Sequence, residues 1–171
     1  MPIYTLGPDD GTLAVRTARA GSVAKAGHDL LIHVTAWSAT LDLGDAPSLA
    51  VDADATSLRV REGKGGMMAL DDGDKSNIQQ TIDDEVLRKR DISFRSTSVA
   101  AEGDALSVAG DLTLVGTTKP LTFDLALADG RVTGSVVVKQ TDWGMKPFSA
   151  LFGALKVADE VRVEVDAALP G

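Results

Sequence analysis

The sequence predicts an all-β protein: a single antiparallel barrel of about eight strands, with one α-helix and short helical lid segments. Three observations carry this expectation. Apolar and polar residues alternate with period two over much of the chain, turn residues separate the alternating runs at short intervals, and neither linker nor internal repeat divides the 171 residues. One domain spanning residues 1–171 is expected, since domains commonly run about 100–200 residues. Apolar residues make up 44% of the chain and aromatics only 4%, so Val, Leu, Ile and Ala must build the core. That content is too high for a disordered chain, and seventeen glycines among many Val and Thr residues favour strands joined by tight turns.

Strands are read first at residues 13–17, 30–43, 49–60 and 92–99. The clearest alternation follows. Leu106, Val108, Gly110, Leu112 and Leu114 share one parity, with Ser107, Asp111 and Thr113 between them. Leu121, Phe123, Leu125 and Leu127 alternate with Thr122, Asp124 and Ala126; after a run at 131–139, Val161, Val163, Val165 and Ala167 alternate with Arg162, Glu164 and Asp166. Such strands have one dry and one wet face, as antiparallel sheets do. Connections are read at 44–47, 102–104 and 116–120, and Asp129-Gly130 is a two-residue hairpin signal. Both faces of 30–43 carry apolar residues, so its inward parity stays open.

Two segments depart from the β pattern. At 76–89 a helix is predicted: Ser76 and Gln79 have capping-box spacing, Ile78, Ile82 and Val86 recur every four residues, and Asp84 with Arg88 and Glu85 with Lys89 are acid-before-base pairs one turn apart. At 147–155 a short helix is predicted, with Phe148, Leu151, Phe152 and Leu155 on one face. Gly153 costs that helix about 1 kcal/mol, so packing or a ligand must hold it. Residues 62–74, rich in glycine, read as a loop.

Charge and composition exclude several functions. With 25 acidic against 17 basic residues, a net charge of −8 is the wrong sign for binding a phosphate backbone or a wide anionic lipid surface. Without cysteine there is no disulfide framework, thiolate nucleophile or cysteine-based zinc site. The first residues show no leader pattern and no apolar run reaches the roughly 18–20 residues of a membrane span. A cytoplasmic protein with no integral membrane segment is expected.

Little in the sequence points to catalysis. The two histidines, His28 and His33, are five apart, an odd spacing that puts them on opposite faces of a regular strand and argues against a shared metal. Asp29 is placed to orient His28, yet no nucleophile pattern accompanies them; His28 reads as a turn residue or as a contact to a ligand headgroup. Lys64-Gly65-Gly66 lacks phosphate-loop spacing, and Asp71-Asp72-Gly73-Asp74 lacks the glutamate of a calcium loop, Ile82 standing at the twelfth position. The apolar residues are more informative. Trp143, Phe148 and Phe152 are three of the seven aromatics, Met145 joins them, and Met67-Met68 sits in the glycine-rich loop. They read either as plugs for the ends of a barrel or as the mouth and lid around an elongated apolar ligand.

Ordered motifs along the chain resemble the YceI-like family of polyisoprenoid-binding or lipid-binding proteins. The best match is Gly110-Asp-Leu-Thr-Leu-Val-Gly-Thr-Thr-Lys-Pro-Leu-Thr-Phe123, similar to the family's strand, Gly-Thr-Lys-Pro turn and returning strand. Ile92-Ser-Phe-Arg-Ser-Thr-Ser-Val99 resembles its Phe-x-Ser-Thr strand, Thr141-Asp142-Trp143-Gly144-Met145 its aspartate-aromatic-glycine turn, and Asp159-Glu160-Val161-Arg162-Val163 its closing strand. Tyr4-Thr5-Leu6 and Leu13-Ala14-Val15 fit in order. Departures are Arg90-Asp91 where a proline is common, the missing leader, and Gly27-His28-Asp29-Leu30, similar to a divergent subgroup.

The resemblance implies an eight-stranded lipocalin-like antiparallel barrel enclosing an isoprenoid or quinone-like chain, and no catalytic residues. The expected function is non-catalytic binding, transport or sequestration of a long apolar ligand, with no cofactor and no metal. Candidate wall residues are Phe94, Leu112, Leu114, Phe123, Leu125, Val136, Val138, Val163 and Val165. Trp37, Trp143, Phe148 and Phe152 are expected to shape the mouth, and His28 to meet a headgroup. The expected partner is an isoprenoid or other elongated lipid, not nucleic acid, and a homodimer is compatible with the family. Two alternatives stand: a protein-interaction or stress-related scaffold with a side-chain-filled barrel, and an enzyme on a hydrophobic substrate using His28 and Asp29.

Overall fold

Alternation in the sequence becomes a long antiparallel sheet in the computed structural model. It describes residues 3–20, 29–64, 90–145, 149–150 and 155–169, together with Ser76, Ile78, Gln80, Ile82 and Leu87. The strands are β1 (Ile3–Leu6), β2 (Gly11–Thr17), β3 (Arg19–Ala20), β4 (Asp29–Val34), β5 (Trp37–Asp42), β6 (Ser48–Ala53), β7 (Leu58–Lys64), β8 (Ile92–Glu102), β9 (Ala105–Leu114), β10 (Thr117–Ala128), β11 (Arg131–Lys139), β12 (Ser149–Ala150), β13 (Leu155–Val157) and β14 (Glu160–Ala168). Eleven form one sheet in the order β1-β5-β6-β8-β9-β10-β11-β14-β2-β4-β7, and β12, β13 and β3 form a second, small sheet.

The count of eight expected from the sequence therefore becomes eleven in the main sheet. One added strand is β1, outside the expected runs, and the other two come from a corner. The predicted run 30–43 is interrupted at Thr35 and Ala36, and the run 49–60 at the 3-10 turn Ala55–Ser57. Backbone bonds hold the two interruptions against each other, Thr35 N–H donating to Ser57 O at 2.9 Å and Asp54 N–H to Ala36 O at 3.0 Å. Asp54 caps the turn, its carboxylate accepting from Thr56 N–H at 2.8 Å and from the Thr56 hydroxyl at 2.7 Å. These bonds hold the Asp54 carboxyl below its ordinary pKa, the side-chain bond from Thr56 contributing most.

This corner also curls the sheet. β4 and β5 lie near opposite ends of the strand order, yet only two residues join them. Two residues reach about 10 Å at most, so the ends of the sheet must approach each other. The curl encloses the core: Leu41, Leu106 and Val108 are the most deeply buried large side chains.

Turn chemistry follows the sequence at one hairpin and departs from it at another. Asp129 and Gly130 both have positive φ, 54° and 74°, as a two-residue turn between β10 and β11 requires. The predicted connection at 116–120 shrinks to Val115-Gly116, with φ of 49° and 76°, and Thr117 to Pro120 join β10. Pro120 is tolerated there because it faces Asp111 of β9 on one side while the ladder to β11 begins only at Leu125. Val115 is a β-branched residue in the left-handed region, a conformation with a steric cost; its side chain packs against the core, which holds it in place.

The helical expectations fare differently. Ser76, Ile78 and Gln80 are helical, and the remainder of 76–89, apart from Ile82 and Leu87, lies outside the described residues. Ile82 and Leu87 are buried, and Leu87 N–H donates to Ile82 O at 2.8 Å, a bond spanning five residues rather than four. Leu87 is thus buried although it is off the predicted four-residue stripe. The expected helix at 147–155 is contradicted where it is described: Ser149–Ala150 and Leu155–Val157 are strands. So short a stripe with an internal glycine cannot nucleate a helix alone. Instead β13 pairs with β3, and Ala158 N–H donates to Ala18 O at 2.7 Å.

Candidate functional site

Register brings the predicted wall residues onto one face. Directly paired residues of antiparallel strands point the same way, so each rung can be followed around the sheet. Val60, Ile32, Val15, Val163 and Val136 form one row across β7, β4, β2, β14 and β11. Val34, Leu13, Val165, Gly134, Leu125 and Leu106 form the next. Phe94 faces Leu112, and Phe123 faces Val108. The Phe94 and Phe123 rings meet at 5.2 Å between centroids, tilted by 57°, within the favourable range for aromatic pairs. Leu114 and Val138 hold the same inward parity and are buried.

Burial is uneven along this face. On β9 the inward side chains of Leu106, Val108, Leu112 and Leu114 are all buried, as is Phe94 on β8. Elsewhere on the same face, Leu13, Val15, Leu121, Phe123, Val136, Val161, Val163 and Val165 are only half-buried, whereas Leu125, Val132 and Val138 are buried. The half-buried wall coincides with a splay in the sheet. The β10–β11 ladder covers only Leu125–Ala128 against Arg131–Gly134 and ends there, while β11 continues beside β14 as far as Lys139. Gly134 permits the last close rung, since a Cβ there would sit 2.6 Å from Leu125 Cδ2 and 2.9 Å from Asp124 O.

Both tryptophans lie inside the fold rather than on an exposed rim. Trp143 is 4% exposed, in the 3-10 turn Gln140–Trp143 that follows β11. Its Nε1–H donates to Leu112 O at 2.8 Å, and the turn is tied to the start of β14 by Asp159. The Asp159 carboxylate accepts from Thr141 N–H at 2.8 Å and from the Thr141 hydroxyl at 2.5 Å. The Thr141 hydroxyl bond is the main cause of a lowered Asp159 pKa. Trp37 is 7% exposed, on β5 opposite Ala53. Its Nε1 is buried and has no hydrogen-bond partner among the described residues, and the same is true of Thr17 Oγ1.

The structure does not bring all expected residues together. His28, Phe148 and Phe152 lie outside the described residues, as do Met67-Met68, Gly65-Gly66 and the acidic turn 71–74. Lys64 ends β7, pairing with Asp29 at the start of β4. His33 stands on the face of β4 opposite to Ile32 and Val34. Among the described residues no group of three or more His, Asp or Glu side chains is arranged to hold a metal, and no helix is long and apolar enough to cross a membrane.

Sequence reasoning did not name Ile32, Val15, Leu13 and Leu121 among the candidates, although they share the same inward face. Alternation marked Leu13, Val15 and Leu121, but Ile32 was hidden by the corner. Inward positions are even before it (Leu30, Ile32, Val34) and odd after it (Trp37, Ala39, Leu41). Two outward residues, Thr35 and Ala36, reverse the parity, so a single strand over 30–43 reads as apolar on both faces.

Comparison with known structures finds the same architecture. BcnA of Burkholderia cenocepacia superposes with a TM-score of 0.62 at 19% identity, covering 92% of this chain and 96% of that one. The YceI protein of Campylobacter jejuni gives 0.51 at 16% identity, covering 82% and 85%. A mutant of that protein carrying a monobromobimane guest gives 0.53 at 13% identity, with the same coverage. At these identities the likeness speaks to fold alone. No curated protein sequence matches the chain. The family model for the YceI-like domain, however, matches residues 4–169, and the chain belongs to the YceI-like family.

Proposed function

We propose that this protein binds one elongated apolar molecule, an isoprenoid, quinone-like or other lipid, within the curled sheet, and carries or sequesters it without chemistry. The observation behind this is the uneven wall. Inward Leu13 and Val15 of β2, Leu121 and Phe123 of β10, Val136 of β11, and Val161, Val163 and Val165 of β14 keep part of their surface uncovered, although Leu125, Val132 and Val138 beside them are buried, as are the inward leucines and valine of β9. Apolar surface left uncovered costs roughly 25 cal/mol per Å², and a lipid chain lying along Val163, Val136 and Phe123 would recover it. Membership of a family of binding proteins supports the same reading.

The barrel is proposed to close with eight runs. β1 with β2, β4 with β5, and β6 with β7 each count as one bent run; with β8, β9, β10, β11 and β14 the total is eight. Support comes from the pairings: the first run pairs with the second through both β1–β5 and β2–β4, and with the last through β2–β14. Eight strands give a bore just wide enough to be filled by side chains or to hold one small ligand. The splay between β10 and β11 is the proposed access route.

Native mass spectrometry of gently purified protein tests the proposal. A reproducible co-purifying mass of several hundred daltons, released by detergent, is expected. An unliganded protein that also fails to bind an added long-chain isoprenoid at micromolar concentration would favour the filled-barrel scaffold instead.

A further inference from the structure

We infer that Trp37 is the polar recognition point of this apolar site: its indole N–H donates to a neutral oxygen acceptor, a carbonyl or an ether, carried by the elongated ligand. The inference rests on the lipid-binding reading and adds what such a ligand must carry.

Trp37 is inward on β5, in line with Ala39 and Leu41, and its Nε1 is buried with no acceptor among the described residues. Buried donors are almost always paired, and an indole N–H can only donate. The fold meets this requirement at the other tryptophan, where Trp143 Nε1–H reaches Leu112 O at 2.8 Å. One indole is thus closed internally and the other left open. The nearby corner does not need the open one. Its backbone bonds, from Thr35 N–H to Ser57 O and from Asp54 N–H to Ala36 O, are complete without it. Ala53 stands opposite Trp37 and offers no polar side chain.

The surroundings select a neutral partner. Ser57 and Gln140 are the buried polar side chains among the described residues, and both are already hydrogen-bonded within the fold. Each lysine or arginine whose burial is described is exposed. An anionic group drawn into this interior would find no buried lysine or arginine among the residues whose burial is described, and an unpaired buried charge is costly. A carbonyl or ether oxygen accepts from the indole without that cost. Thr17 Oγ1, inward on β2 at the rung of Leu30, is a second unpaired group that is likewise neutral.

The test compares a C20 isoprenoid methyl ketone with the C20 isoprenoid hydrocarbon, both titrated into wild-type protein and Trp37→Phe. Wild type is expected to prefer the ketone by about tenfold, the equivalent of one hydrogen bond of about 1.4 kcal/mol. In Trp37→Phe that preference should fall within about twofold, because ketone affinity falls about tenfold further than hydrocarbon affinity. A preference that survives the substitution overturns the role of Trp37, as does a wild type that binds both probes alike. Should wild type bind neither, the lipid-binding reading itself fails. Wild-type NMR gives a readout independent of the variant's folding. The Trp37 indole resonance should move downfield with the ketone and not with the hydrocarbon, while Trp143 stays in place; a Trp37 resonance indifferent to the ketone overturns the inference.

Discussion

Replacing Val163 with phenylalanine separates an open bore from a filled one by the sign of its effect on stability. Val163 is half-buried in the middle of an inward row, between Val136 on β11 and Val15 on β2. Val108 points to the same interior but is 1% exposed, facing Phe123. Phenylalanine adds apolar surface on the order of 50 Å², about 1 kcal/mol if it is all withdrawn from water. At Val108 there is no room for it, and overpacking of this kind costs about 1–3 kcal/mol. At Val163 the uncovered surface leaves space, so the variant should be neutral or up to about 1 kcal/mol more stable. Urea denaturation of Val163→Phe, Val108→Phe and wild type measures both effects. A fluorescent long-chain isoprenoid analogue then measures uptake, which Val163→Phe should weaken about tenfold or more by occupying the bore. If Val163→Phe is destabilised as much as Val108→Phe, the two walls are packed alike and the open-bore reasoning is refuted.

Three further outcomes follow from the geometry. Gly110→Ala should destabilise by about 2 kcal/mol or more in urea, because a Cβ there would stand 2.4 Å from Arg95 O, 2.6 Å from Phe94 Cζ and 2.7 Å from Ser96 Cα, at the bulge in β8; an unchanged denaturation midpoint would show that the bulge yields freely. Trp143→Phe should cost about 1–3 kcal/mol by removing the donor to Leu112 O in a buried setting, and a loss under about 0.5 kcal/mol would mean that this bond does not anchor the turn. Asp54 and Asp159 have pKa values lowered in the fold by their Thr56 and Thr141 bonds. The unfolded chain therefore binds more protons than the folded one as pH falls below about 4, and stability present above that pH is lost on acidification through the folded values. Asp159→Asn should flatten that acid-side decline in a series of urea titrations, and an identical slope in the variant would refute the linkage.

The pairs that hold the outer face contribute differently. Arg95 with Asp52, Arg131 with Asp166, and Arg16 with Glu164 join strands across the sheet surface. All are substantially exposed to solvent, so each is worth about 0–1 kcal/mol. Their value lies in favouring one register, since a one-residue slip would turn the inward valines to water.

How much of the site was legible depends on the element. On β9, β10 and β14 the alternation is unbroken, and Leu112, Leu125 and Val163 could be assigned to one face from parity alone, whereas on β11 the run Val136-Val137-Val138 hides it and only pairing with β14 turns Val136 inward. On β4 and β5 the face could not be assigned, because the parity reversal at Thr35 and Ala36 has no local signature beyond two small or polar residues. The segment 147–155 misled because a three-four spacing of apolar residues is satisfied equally by chance, and strand pairing with Arg19–Ala20 depends on residues more than a hundred positions away.

By itself, the sequence determined the strand content, the dry face of the later strands, the Asp129-Gly130 turn and the family. These follow from period-two alternation and from backbone preferences, which act over a few neighbouring residues. Tertiary structure alone decided the corner that curls the sheet, the uneven covering of its two walls, and the contrast between a tryptophan bonded to Leu112 and one left without a partner. Those features depend on which strands meet across long sequence separations. Local propensity carries no record of that, because space and hydrogen-bond partners exist only once the sheet has curled around its core.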